Sequence, residues 1–295
     1  MVSIIVCTHN RDKYLPKCLD RLSNQTADKN LYEIIVVNNN CTDRTETICL
    51  DFKRDNPQLQ FIYTLENNPG LSWARNKGIE VSNGEILAFI DDDGFAKNDY
   101  VENIIAVTNQ YNLYTAFGGK VIPVYNEGKY PEWLSYHIQG VVSKVDLGNQ
   151  IKDFDKKYPV GCNMIIRKSF FEQHGGFNTS LELRGDDKFI FHKMKKLKLK
   201  VLYVPNIYVE HFMDDFRIEK NYIIKISKVV GHSEKVRLEN SSPGLKFLKA
   251  LEYVFKLGAA FFFMFYFGLT GSFAKAEYIV LVRWNVLKGF FIKHS

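Results

Sequence analysis

The stretch EILAFIDDDG, residues 85–94, decides how the rest of the chain is read. Its apolar half, EILAFI, is short and has the composition of a buried parallel strand. It runs directly into three aspartates. Adjacent carboxylates repel one another, so leaving all three unpaired is costly. A divalent cation resolves the repulsion, and oxygen ligands favour Mg²⁺ or Mn²⁺. On an extended backbone Asp91 and Asp93 face one side and Asp92 the other. One carboxylate can then touch a sugar or ribose hydroxyl while another grips a metal bridging two phosphates. The competing reading is a solvated acidic turn.

Upstream, the same alternation of strand and helix repeats. VSIIVC at 2–7 reads as a buried strand, followed by THNRD and a helical stretch through Leu15, Leu19 and Leu22. EIIVV at 33–37 is a second strand, ending in NNNCTD. Thr42 or Asp43 would cap a helix through Ile48, Leu50 and Phe52. QFIYTL at 60–65 is a third strand, NNPG at 67–70 a turn, and a helix is expected over 72–81. This order argues for an α/β domain with a largely parallel sheet. In open α/β sheets ligands bind beyond the carboxyl ends of the strands, so THN, NNNCTD and DDD should line one crevice. Downstream the pattern is less regular. AFGGKVIPVY reads as a strand pair or bent strand, YPVGCNMIIR as a strand, and RKSFFEQHGGF as a helix closed by glycines. RGDDKFIFHKMKKLK reads as a helix with two aspartates in its first turn, and KVLYVPNIYVEH as two strands broken at Pro205. An amphipathic helix is expected over 218–236 and a linker at 239–246. The expected domains are therefore 1–238 and 239–295.

Composition narrows the function. In 295 residues, 46% hydrophobic and 24% charged residues exclude a disordered chain. The formal charge is +6, but residues 243–295 hold seven Lys or Arg against two Glu, leaving +1 for residues 1–242. A near-neutral body argues against a nucleic-acid partner. The five cysteines form no CxxC pair, so neither a structural zinc site nor a disulfide framework is expected. Free thiols suit a reducing compartment. The N-terminal apolar run is too short for a signal peptide. The expected location is the cytoplasm, at the inner face of the cell membrane.

Seven segments in order resemble the family 2 glycosyltransferases over about residues 1–235. They are SIIVCTHNR, EIIVVNNNCTD, NNPGLSWARNKGI, ILAFIDDDG, PVGCNMIIRKSFFEQHGGF, RGDDKF and VPNIYVEHFMDDFR. The resemblance implies a GT-A fold, Rossmann-like, with a mostly parallel central sheet flanked by helices. It also implies transfer of a sugar, of hexosyl type, from a nucleotide-sugar donor to a hydroxyl, with inversion and a Mn²⁺ or Mg²⁺ cofactor. A UDP-sugar is favoured, and the acceptor is a glycan or lipid-linked glycan in polysaccharide or glycoconjugate synthesis.

By the same resemblance, Asp93 is assigned to the metal. Asp91 goes to the donor's ribose or sugar and also to the metal, with Asp92 on the donor side. Asp187 is the general base and Asp186 its neighbour; simple helix capping is the alternative for both. His211 either completes the metal shell or is an ordinary packed histidine. Arg217 would reach the diphosphate or serve the surface. The nucleotide pocket draws on Thr8, Asn10, Asn38 and Arg75. Asn38 departs from the family's usual Asp, yet its carbonyl can still accept from a base N–H. For Arg75 the alternative is a helix-surface ion pair. Gly161, Asn163 and Trp133 are placed on the acceptor side, Trp133 either as a sugar platform or, the favoured reading, a core anchor.

Residues 257–274 carry no charge, which just reaches the length of a membrane span. Lys256 and Lys275 bracket the run, and AEYIVLVRWNVLKGFF follows with Arg283 and Lys288. Docking at a membrane interface, with the second stretch as an interfacial helix, is favoured over spanning. The alternative is a packed hairpin or dimer interface. Two rival functions remain. A sugar nucleotidyltransferase would need a Gly-rich N-terminal loop, where this chain has CTHNRD. A catalytically inactive GT-A scaffold binding a glycan or protein is favoured only by Asn38.

Overall fold

The four apolar runs of the first hundred residues form parallel strands joined by helices. They are β1 (Val2–Thr8), β2 (Tyr32–Asn38), β3 (Gln60–Leu65) and β4 (Ile86–Asp91). The intervening helices are α1 (Leu15–Ser23), α2 (Thr45–Asp55) and α3 (Leu71–Val81). The computed structural model describes residues 1–155, 157–180, 185–239 and 241–292. Arg184, in the RGDDKF segment, and Asn240, in the expected linker, lie outside the described residues.

Strand β1 pairs in parallel with β2 and β4, and β2 with β3. All residues of β2 are buried, because helices cover both faces of the sheet. Alternate residues sort to opposite layers. Ile4, Val6, Ile34 and Val36 pack with Leu15 and Leu19 of α1 and with Ile104 of α4 (Tyr100–Gln110). Ile5, Ile35 and Val37 pack with Ala74 of α3. The same layer holds Phe171 of α5 (Lys168–His174) and Ile190 and Met194 of α6 (Asp186–Lys196).

Beyond β4 the sheet changes character. The remaining strands are β5 (Gly94–Ala96), β6 (Ala116–Tyr125), β7 (Lys152–Asp153), β8 (Met164–Arg167) and β9 (Val201–Met213). Among the described residues the order is β3-β2-β1-β4-β8-β6-β9-β5, with β7 also against β9. Strands β4 and β8, β6 and β8, and β5 and β9 are antiparallel. The sheet is therefore mixed, with a parallel half that presents the carboxyl ends of β1, β2 and β4 on one edge.

Local readings are corrected in three places. Leu50 is exposed, and α2 presents Ile48 and Phe52 to the core instead, four residues apart on one face. YPVGCN is loop, and only Met164–Arg167 is strand. Pro205 does not break β9. Its missing N–H falls between the residues that pair with β7, Leu202 and Tyr203, and those that pair with β5, Val209 to His211.

The chain divides into two compact units. The first is Met1–Pro123, Val145–Glu182 and Asp186–Phe212; the second is Val124–Lys144, Leu183–Gly185 and Met213–Ser295. The second contains α7 (Asp215–Ile218), α8 (Lys220–Arg237), α9 (Pro243–Leu269) and α10 (Phe273–Phe291). Here α10 is packed on one face and leaves Phe273, Trp284 and Phe291 exposed on the other. It buries Ala276, Ile279, Val282 and Val286 in a core shared with Ile223 of α8 and Tyr253 of α9. Two glycines set the crossing of α8 and α10. A Cβ at Gly231 would overlap the carbonyl of Val286, and one at Gly289 would overlap that of Lys228.

That crossing yields a prediction. Gly231→Ala should force the two helices apart and destabilise the second unit by about 1–3 kcal/mol. Urea unfolding should show a lower midpoint, whereas an unshifted midpoint would contradict backbone contact at this crossing.

Candidate active site

The turn after β4 carries the acidic cluster. Strand pairing ends at Asp91, and Asp92 and Asp93 form a turn into β5. The extended alternation expected for the three aspartates therefore does not extend past Asp91. Asp91 keeps 35% of its side chain exposed, while Asp92 and Asp93 are buried.

Two guanidinium groups organise these carboxylates. Arg11, from the loop after β1, reaches Asp93 at 2.6 Å and Asp92 at 3.2 Å. Thr8 at the end of β1 donates its hydroxyl to Asp92 Oδ2 at 2.8 Å. Burial, opposed by Arg11 and reinforced by Asp93, still pushes the Asp92 carboxyl up to about 7. Arg75, buried on α3, donates to Asp186 and lies 3.5 Å from Asp91. Burial disfavours its charge, but Asp186 and Asp91 outweigh that and hold it protonated. Arg75 is thus an internal bridge, not a helix-surface ion pair.

The first turn of α6 supplies the second acidic pair. Asp186 is buried against Arg75, and the backbone N–H of Gly161 donates to Asp187 Oδ2 at 3.1 Å. Gly161 is required here because a Cβ would overlap the Arg75 guanidinium. Asp187 stays partly accessible although densely surrounded. Burial and then Asp186 raise its pKa, with Arg75 opposing.

His211 arrives from β9. Because Gly94 of β5 pairs with His211, the ring lands beside the turn, with Nε2 3.2 Å from Asp93 Oδ1. Asp91, His211 and Cys162 bring one donor atom each within 4.8 Å of one another. Burial and the nearby aspartates raise the Cys162 thiol well above its ordinary value, so it stays protonated and makes a poor ligand. That leaves Asp91 and His211 as the donors of this group that suit a divalent cation, with Asp93 beside His211 and paired to Arg11.

The other expected residues divide between loop construction and packing. Asn38 donates to Tyr63 at 2.7 Å and accepts from the Cys41 N–H at 2.7 Å. Asn10 does not alternate with Thr8. It has a left-handed backbone (φ 51°) and accepts from the Thr42 N–H at 2.7 Å. Asn163 is buried, accepts from Tyr100, and donates to the carbonyls of Lys120 and Ile207, so its amide clamps β6 to β9 rather than facing an acceptor. Trp133 and Arg217 belong to the second unit. Trp133 stacks on Tyr278 with ring centroids 4.4 Å apart, and Arg217 is buried.

Two residues were missed from sequence. Arg11 lies in the quoted THNRD, and its cation beside a triple aspartate was the available signal. Asn39 donates to the carbonyls of Glu66 and Asn68 and accepts from the Gly70 N–H, fixing the NNPG turn at the start of α3. Only its place in the NNN run hinted at this.

Known proteins share the family and the fold of this chain. The family described as "Glycosyl transferase family 2" matches residues 3–175. The chain belongs to this family. Glycosyltransferase GlyA of Streptococcus pneumoniae is 28% identical over 213 residues, covering 69% of this chain, though the match spans only 29% of GlyA. The glucosyl-dolichyl phosphate glucuronosyltransferase of Haloferax volcanii is 24% identical over 246 residues, 80% of this chain and 76% of that protein. Among solved structures, the mannosyltransferase PcManGT from Pyrobaculum calidifontis, in complex with GDP-Man and Mn²⁺, aligns over 95% of this chain and 85% of its own at TM-score 0.62 and 15% identity. TarS of S. aureus in complex with UDP aligns over 82% and 66% at TM-score 0.53 and 16% identity. The fold of this family 2 glycosyltransferase is GT-A.

Removing Arg75 isolates the bridge. Arg75→Met should destabilise the protein by about 3–5 kcal/mol, because the buried Asp186 keeps its charge without its partner. Urea unfolding of the variant tests this, and an unshifted midpoint would show that the bridge does not hold buried charge in place.

Proposed function

We propose that this chain transfers a sugar from a nucleoside-diphosphate donor to a hydroxyl of a glycan acceptor, with inversion at the anomeric carbon. The observation that carries the reading is a set of five carboxylates, of which Arg11 bridges Asp92 and Asp93, Arg75 bridges Asp91 and Asp186, and Asp187 follows Asp186 on the Gly161 N–H. The carboxylates outnumber the guanidinium groups, which favours a further cation at Asp91, Asp93 and His211. A bound Mn²⁺ or Mg²⁺ would supply charge neutralisation for the departing diphosphate.

The chain's own groups divide the remaining work. Asp187 accepts the acceptor's proton as its oxygen forms a bond to the anomeric carbon. The bond from that carbon to the diphosphate oxygen breaks, and its electron pair leaves with the nucleotide. Attack from the face opposite the leaving group inverts the centre. Asp186, clamped by Arg75, fixes the first turn of α6 and so the position of Asp187. Gly161 orients Asp187 Oδ2 through its N–H. A UDP-sugar is the first donor to test and a GDP-sugar the second, since solved structures of like fold hold UDP in TarS and GDP-Man in PcManGT.

Two measurements check the reading. Thermal melting with nucleoside diphosphates should show a rise that needs Mn²⁺ and is lost in Asp93→Ala, because a ligand that binds only the folded state stabilises it. If no nucleotide shifts the melting temperature with any metal, the inactive scaffold becomes the better reading. Separately, Asp187→Asn should lower kcat by roughly 10²–10⁴-fold with donor binding retained. Since the Asp187 pKa is raised from 3.8, the wild-type rate should climb with pH along a limb above the ordinary carboxylate range. A rate flat across that range would count against Asp187 as the base.

A further inference from the structure

Helix α9 is long and apolar, with mean hydropathy 1.4 over its best window, only 17% of which is buried. Its inner face packs in the second unit through Tyr253, Leu257 and Ala260. Lys246, Lys249, Glu252 and Lys256 lie at the margins of that face, half-buried. The outer face is apolar along both halves of the helix. In the proximal half, Leu245, Phe247, Leu248, Leu251, Val254 and Phe255 are exposed over an arc of about 180° at 100° per residue. In the distal half, Phe261, Phe262, Met264, Phe265, Tyr266 and Leu269 spread the exposed arc to about 200°. Phe273, just past the turn at Gly271, is exposed as well.

We infer that the distal half of α9 and the turn into α10 dock into an anionic lipid surface from one side, without crossing it. Three observations choose this occupant. A partner helix would need only a narrow seam, whereas the distal arc covers more than half the helix circumference. The charge around the tip is cationic. Residues 243–295 carry seven Lys or Arg against two Glu, and Lys256 and Lys275 flank the aromatic tip, complementary to acidic headgroups. The uncharged part of α9 after Lys256 is about 20 Å long, short of the ~30 Å hydrocarbon core. The chain then reverses at Gly271 (φ 70°) into α10. That helix carries Lys275, Glu277 and Arg283 and is packed against α8 and α9, so it cannot serve as a second span. Interfacial insertion of aromatics below a ring of lysines matches this geometry.

This inference does not rest on the transferase reading, and its test is independent of activity. The full chain is floated with vesicles of phosphatidylcholine alone or mixed with phosphatidylglycerol. Flotation is expected with the anionic vesicles, to weaken as salt rises, and to be reversed by alkaline carbonate. Phe262→Ser/Phe265→Ser removes two side chains that are 70% and 69% exposed, so folding and the nucleotide-dependent melting shift should be unchanged while vesicle partitioning falls about tenfold or more. Lys275→Gln should weaken binding about fivefold on anionic vesicles only. Absence of flotation with either vesicle overturns the inference. So does a wild-type dimer in solution that the double serine variant dissociates, because the face would then seat a second copy. Retention after carbonate would show a span and overturn one-sided docking.

Discussion

A single buried guanidinium holds the site together. Arg75 touches Asp91, at the end of a parallel strand, and Asp186, in the first turn of a helix more than a hundred residues later. Burying that charge is unfavourable by itself, and only the two carboxylates make it tolerable. The dependence runs both ways, since Asp186 is buried as well. A buried ion pair of this kind is weak evidence for stability and better evidence for specified geometry. It ties the carboxyl end of β4 to α6. The backbone around it is built to admit it, because Gly161 leaves the space that the guanidinium fills.

The loops on the same edge are held by amide side chains rather than by apolar packing. Asn39 and Asn10 satisfy backbone groups of a neighbouring loop, and Asn38 takes the Cys41 N–H of its own. Irregular backbone at a strand end needs such partners, since its polar groups have no ladder to join. A side chain that looks free in sequence can therefore be committed to its own loop. Asn38 illustrates this, with both ends of its amide engaged. Thr8 does the same for the acidic turn, since its hydroxyl orients Asp92.

How much could be read in advance follows from the range of each interaction. The first four strands were legible because β-branched runs buried on both faces have few alternatives. The acidic turn, the aspartates of α6 and His211 stood out in the sequence as polar residues at the ends of apolar runs, and the antiparallel pairing of β5 with β9 brings His211 beside Asp93. Arg11 was not, although it is only three residues from Thr8, because nothing local says that it folds back over Asp92 and Asp93. Asn163 read as an acceptor contact and proved to be a clamp between strands that are distant in sequence. Strict alternation misled at Asp92 and Asp93, where the chain turns. Helix α10 read as interfacial from its Trp and Lys. Its periodicity also places Ala276, Ile279, Val282 and Val286 along one packed stripe.

The charge arithmetic of the cluster also bears on how ligands would enter. Before loading, Arg11 is the cation shared by Asp92 and Asp93. A diphosphate approaching five carboxylates meets repulsion unless further positive charge is present. A metal approaching Asp93 in turn competes with Arg11. On the proposed reading each ligand lowers the barrier to the other, since the anion offers Arg11 a new partner and the metal offers the anion a counter-charge. Linkage makes that coupling reciprocal. The metal should therefore tighten nucleotide binding by the same factor by which nucleotide tightens metal binding, with Arg11 as the group whose change of partner connects them.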